Sequence, residues 1–275
     1  MPETLLLGVD VGSSGVKAVL VDPRRGVVAS ATREVALHSD HPGWAEADTG
    51  EWWRALGELV PELLARASAT SRDVVAVAAS GMVPAVVVSD ARGRPLRRAI
   101  LQNDARATEE IDEVGERLIG VDLLARTGSV LSQQSVAPTV AWLARHEPAV
   151  WAATTTLQGS YDWLATALGA PAHVEQNWAL ESGLYDLDGA VLGEVLDAAG
   201  VDWPALAPVV APGTRVGEVS AAGAAHTGLA AGTPIVVGGA DHVLSAYGAG
   251  LVVAGDCLVK LGGAGDILCV SDHVV

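Results

Sequence analysis

GVDVGSSGVKAVLVD, Gly8 to Asp22, sets an acidic residue, Asp10, between two valines and follows it at once with the small-residue turn Gly12-Ser13-Ser14-Gly15. Around it lie the apolar runs TLLLGVDV, VKAVLVD and GVVASATREVAL, short, rich in Val and Leu, and separated by GSSG and PRRG. That pattern predicts three strands joined by tight turns, with Asp10 near the end of the first. The turn fits neither a P-loop, which needs Gly, four residues and Gly-Lys-Ser/Thr, nor the dinucleotide pattern Gly-x-Gly-x-x-Gly, and it leads into a strand rather than a helix. Its backbone N–H groups and hydroxyls can still wrap an anion, and a neighbouring aspartate can hold Mg²⁺ through water. The plain alternative is a β-hairpin whose glycines supply positive φ and whose Asp10 accepts locally. These residues alone leave both open.

Further along, DTGEWWRALGELVPELLARA has a capping Asp or Thr and helical apolar spacing, with Pro61 expected to kink it or to start a second helix. DVVAVAAS reads as another strand leading into GMVPAVVVSD, and the chain from Ala107 to about Leu168 reads as mostly helical. GTPIVVGGADHVLSAYGAG runs from an apolar strand through two glycines into a helix with Asp241 in its first turn. Alternating strands and helices predict an α/β class. Near the end, CLVKLGGAGDILCVSD, Cys257 to Asp272, repeats the plan of the opening stretch: apolar strand, Gly-rich turn, apolar strand, acidic stop. Two such hairpins suggest two related subdomains, each offering a turn to a shared cleft. The second has barely begun at Val275, so a further lobe is expected beyond it.

Composition narrows the function classes. At 275 residues the chain suggests roughly two domains and a substantial core. Half its residues are hydrophobic, but no window approaches the ~20 uninterrupted apolar residues of a membrane span, and MPETLLLGVD lacks a leader's basic start and cleavage site. A cytoplasmic protein with no membrane partner is expected. A net charge of -16 argues against a nucleic-acid partner, although an acidic protein can bind a nucleotide through backbone amides and Mg²⁺. With only Cys257 and Cys269 present, neither a disulfide framework nor a Cys-built zinc site is expected. The eight Trp residues, those of EWW included, read as core and helix-packing residues. His38, His41, His146, His173, His226 and His273 show no metal-ligand spacing.

Taken in order, GVDVGSSGVKAVLVD, HPGWAEADTGEWW, AILQNDARA and GTPIVVGGADHVLSAYGAG resemble the landmarks of the FGGY carbohydrate kinases, the xylulokinase branch in particular. The resemblance implies an actin-like ATPase fold, two ribonuclease H-like domains with mixed central sheets and the sugar and ATP sites between them. Residues 1–248 would then be the N-terminal sugar-binding domain, and 249–275 the first hairpin of a truncated ATP-binding domain. By the same resemblance Asp10 positions Mg²⁺ through water, while Gly12, Ser13 and Ser14 approach the γ-phosphate of ATP. Lys17 takes the place of a basic residue in that hairpin, with a solvated surface lysine as the alternative. Asp241 matches the catalytic base, and its alternative is a helix N-cap. Met82, Val83, Gln102, Asn103, Asp104 and His242 fall at sugar-contacting positions, Asp104 having the alternative of a cap at an exposed helix start. Asp162 lies near a family aspartate or caps its own helix. Gly262, Gly263 and Ala264 stand where relatives carry a second phosphate loop.

Some positions depart from the pattern. Gln102 replaces the family's Trp, Val83 replaces a His and cannot donate a hydrogen bond, and LGGAGD lacks the hydroxyls of Gly-Thr-Ser-Gly. The implied function is ATP-dependent phosphorylation of a sugar hydroxyl, on a pentulose or related ketose or polyol, with xylulose itself not singled out. The alternative is a non-catalytic sugar-binding or regulatory remnant. Oligomeric state is left open, a homodimer included.

Overall fold

A computed structural model describes residues 4–261 and 265–273. Its central sheet is built from β1 (Leu5–Val11), β2 (Gly15–Asp22), β3 (Gly26–Glu34), β4 (Val74–Gly81), β5 (Arg215–Glu218) and β6 (Pro234–Ala240), in the spatial order β5-β6-β4-β1-β2-β3. The meander β1-β2-β3 is antiparallel, β4 and β6 join it in parallel, and β5 closes the edge antiparallel. This is the mixed, ribonuclease H-like sheet that the family resemblance implies. Its first strand explains the oddly placed acid. Leu5, Leu7, Val9 and Val11 are buried, whereas Leu6, Gly8 and Asp10 point to the other, more open face. Successive side chains of a strand alternate between faces, so Asp10 between two core valines is not itself in the core.

Parallel strands need crossovers, and helices supply them. Between β3 and β4 runs α1 (Thr49–Ala67), started by Asp48 accepting from Gly50 N and ended by Ser68 in the left-handed region at φ 52°. Trp52, Ala55, Leu56, Leu59, Val60 and Leu63 recur at helical spacing and are buried against β2 and β3. The helix runs unbroken through Pro61, neither ending nor restarting there. The EWW pair divides its work: Trp52 is fully buried, while Trp53 stacks on His226 with ring centroids 4.2 Å apart.

The crossover from β4 to β6 carries the helical region, including α2 (Thr108–Arg117), α3 (Val136–His146), α4 (Ser160–Leu168) and α5 (Gln176–Glu181). α4 packs on β4 and β6, and its Asp162 is 1% exposed, neither a helix cap nor at a surface. One oxygen of Asp162 accepts from Glu175 N at 3.1 Å, and the other is buried without a partner. Burial, and then the charge of nearby Glu175, push this carboxyl well above the usual range. A folded-state pKa raised above the unfolded one gives a stability contribution that is complete below about pH 4 and is lost as pH rises. The melting temperature should therefore fall more steeply as pH rises above about 4 than that of Asp162→Asn, which should be the more stable at the alkaline end. Each pH unit by which the folded midpoint exceeds the unfolded one is worth about 1.4 kcal/mol. Parallel melting curves for the two proteins would refute it.

After β6 come α6 (Asp241–Gly248) and the hairpin β7 (Cys257–Leu261) and β8 (Gly265–Cys269). Composition argues against a disulfide framework, yet register sets Cys257 opposite Cys269 with Cα atoms 4.2 Å apart, and the two are joined by a disulfide. Directly opposed residues of an antiparallel pair bring their side chains into such reach, which counting cysteines cannot reveal. Among the described residues no helix is long and apolar enough to cross a membrane.

Candidate active site

The sheet register assembles a polar row on its open face. Asp10 on β1 lies opposite Lys17 on β2 and opposite Ser80 on β4, and Ser80 in turn lies opposite Gly239 on β6. Ser80 Oγ donates to Asp10 Oδ1 at 2.9 Å. Beyond β1 the turn is closed by Gly12 N donating to Gly15 O at 2.9 Å. Neither glycine is at positive φ, so the conformational reason expected for them does not apply. They are needed for closeness: a Cβ on Gly15 would stand 3.0 Å from Arg33 O, and one on Gly12 3.1 Å from Gly15 O.

These residues line a cleft of about 900 Å³, with Asp10, Gly12, Ser13, Ser14 and Lys17 on one wall and Asp241 and Lys260 on another. Ser80, Met82 and Gln102 line it as well. Asp241 opens α6, but the N-cap position is Ala240 and no side chain caps the helix, so the carboxylate is not spent on capping. Burial raises its pKa, while the adjacent His242 and the charge of Lys260 lower it by more, leaving it below the usual carboxylate range. The two glycines before it have a packing reason. The register of β6 on β4 shifts between Val236 and Gly239, and Gly238 crosses so close to β4 that a Cβ there would lie 1.8 Å from Ala79 O.

Not every expected residue reaches the cleft. Gln102 does, with its side-chain carbonyl oxygen buried and unpartnered. Met82 does as well, its backbone N bonded to Val11 O at 3.2 Å. Val83 is 6% exposed and packs in the core, and Asn103 is exposed, neither of them among the lining residues. Gly262, Gly263 and Ala264 lie outside the described residues. His242 turns toward Glu181, its Nε2 3.1 Å from Oε1, and is not among the lining residues either.

Asp104 is occupied by the protein itself. Its oxygens accept from Ala45 N at 2.6 Å, from Arg106 N at 2.9 Å, and from Arg106 Nε and Nη2 at 2.8 Å each. Arg106 also bonds Glu46 and lies 3.8 Å over the Trp44 ring, and Arg97 bonds the same Glu46. The segments HPGWAEAD and QNDAR are thus tied to each other by one buried ionic cluster, and Asp104 caps no helix. Asp104→Asn should cost about 1–3 kcal/mol, because it leaves guanidinium N–H groups short of acceptors. A thermal melt checks this; unchanged melting with weakened sugar binding would return Asp104 to the site.

Ser80 and Lys260 line the cleft but are not among the expected site residues. Ser80 is a small polar residue at a strand end, distinguished only by its partner across the sheet. Lys260 does carry a signal: it stands two residues before Gly262, as Asp10 stands two before Gly12. The second hairpin pairs Lys260 with Asp266, at 3.7 Å, where the first pairs Asp10 with Lys17, so the charges are exchanged.

Comparison with known proteins matches residues 5–248 to the FGGY family of carbohydrate kinases, N-terminal domain. The chain is 29% identical over 279 residues to a xylulose kinase of Staphylococcus epidermidis, covering 98% of this chain and 54% of that one. It is 33% identical over 265 residues to an autoinducer-2 kinase of Yersinia enterocolitica, covering 94% and 49%. Among solved structures, xylulose kinase from Rhodospirillum rubrum superposes with a TM-score of 0.89 at 40% identity, over 96% of this chain and 54% of that one. The chain spans about half the length of the curated relatives it matches.

Proposed function

Because the chain belongs to the FGGY family of carbohydrate kinases, we propose that it forms the sugar-binding half of an enzyme moving the γ-phosphoryl group of ATP to a sugar hydroxyl. The observation that carries this reading is the meeting of Asp10 and Asp241 with Lys17 and Lys260 around one cleft between two hairpins. Asp241 is the general base. Held below the usual carboxylate range, it is anionic at neutral pH and ready to accept the hydroxyl proton. Phosphoryl transfer has a loose transition state, so the carboxylate has mainly to orient the hydroxyl and take its proton late. The N–H groups of Ser13 and Ser14 and the two ammonium groups meet the phosphate oxygens, offsetting charge that would otherwise repel both carboxylates, while the Gly12 N–H is held by Gly15 O and only shapes the turn.

The residues present also suit Mg²⁺, a hard cation that takes oxygen donors and keeps several waters. Asp10 has one oxygen bonded to Ser80 and the other without a partner among the described residues. It would hold the ion through water, and the ion would neutralise phosphate charge.

The substrate is a pentulose or a related ketose or polyol. The relative named as a xylulose kinase supports a pentulose, and the one named as an autoinducer-2 kinase leaves the acceptor within the family open. Gln102 offers an acceptor at a position where the family carries an aromatic, and Val83 offers no polar contact. The test is an ADP-release assay of the full-length enzyme, this half joined to its ATP-binding half, with ATP, Mg²⁺ and a panel of ketopentoses, other ketoses and polyols. Phosphorylation of at least one is expected. Turnover of none would sink the proposal, and sugar binding without ATP binding would instead assign the chain a non-catalytic sugar-binding role.

A further inference from the structure

We propose that Glu181 is a positioning residue that holds His242 as an imidazolium against Asp241, keeping the acceptor carboxylate charged and oriented toward the cleft. The inference rests on Asp241 being the base. Its warrant is a line of three side chains from two helices: Glu181 Oε1 lies 3.1 Å from His242 Nε2, and His242 Nδ1 lies 3.7 Å from Asp241 Oδ1. Both ring nitrogens thus face carboxylate oxygens. Both contacts are ion-pair approaches rather than hydrogen bonds, so a neutral imidazole gains little from either, whereas the protonated ring is attracted by both carboxylates. Glu181 is the last residue of α5, a helix whose start is held by the Glu175 side chain accepting from Trp178 N. Neither Glu181 nor His242 is among the residues lining the cleft that Asp241 enters.

The charged surroundings agree. Within ion-pair distance of His242 stand only Asp241, from its own helix, and Glu181, from α5, among the described residues. β6, on which α6 packs, brings no titratable side chain, and β4 brings Ser80 at this end. The hairpin brings Lys260 and Asp266, paired with each other, and Asp10 and Lys17 line the cleft that Asp241 enters. Asp241 first, and then Glu181, outweigh partial burial and push His242 up to about 10. An imidazolium on this scale donates and does not accept, which leaves proton acceptance to Asp241 alone.

The test is an NMR titration of the imidazole of His242 in the 275-residue chain, assigned by its loss in His242→Gln. In the wild type the midpoint should lie far above the ordinary histidine value of about 6.5. Glu181→Gln should lower it by about one pH unit or more, and Glu181→Asp should restore part of that difference. His242→Gln should move the Asp241 carboxyl midpoint upward, since a cation beside it is gone. An ordinary midpoint in the wild type, or one that Glu181→Gln leaves in place, overturns the proposal. If Glu181→Gln does not fold, the same decision falls to Glu181→Asp, whose midpoint must lie below that of the wild type. No sugar or ATP enters this measurement, so a protein that phosphorylates nothing would refute the kinase reading and leave the histidine result standing.

Discussion

Replacing Asp241 by Asn is expected to lower kcat for sugar phosphorylation by about 10²–10⁴-fold, the usual range for removing a general base. The sugar KM should move little, because Asn keeps the size of the side chain and one acceptor oxygen while losing basicity. Steady-state kinetics with the best sugar of the panel separate the two parameters; activity within about tenfold of the wild type would rule out the role. The pH dependence has a definite sign. A carboxylate held below its usual range is still charged in moderately acidic solution, so the acid limb of kcat/KM should lie below the ordinary aspartate range and activity should fall only as pH drops through it. His242→Gln should carry that limb upward.

Gly238→Ala should be the most destabilising single methyl in this chain's active region. Its Cβ would stand 1.8 Å from Ala79 O, a backbone atom in the middle of the sheet that cannot step aside as a side-chain tip can. Either β6 separates from β4 or the bend before Asp241 is lost. A cost of about 4 kcal/mol or more follows, in the range that marks a broken core feature. For a chain of this size that is a melting temperature lower by about 8–16 °C. Calorimetry or a thermal melt checks it, and a loss below about 1 kcal/mol would mean that the two strands are less tightly apposed than described.

Much of this is legible in the chain's local patterns. The strand order at the start of the chain, the helix over EWWRALGELV, the strand-to-helix passage at Asp241 and the second hairpin all follow from spacing and turn chemistry. Pro61 runs against its local signal because packing can outweigh a lost hydrogen bond: the helix continues through it with its buried stripe on β2 and β3. Asp104 looks like a sugar contact because its segment matches one. Only the folded chain shows its hydrogen-bonding capacity used by Arg106 and Ala45, the latter 59 residues away. The disulfide escapes for a related reason: cross-strand register decides it.

The sequence by itself determined which residues alternate, which turns are tight and that Asp10 falls on the opposite face of its strand from Val9 and Val11. Those properties depend on neighbours a few positions apart, whose side-chain directions the backbone period dictates. The tertiary structure alone decided that Asp10 meets Ser80, that Lys260 shares its cleft and that His242 lies between two carboxylates. Each of these depends on parallel pairing or helix packing between segments tens of residues apart, where no local period links one side chain to the other.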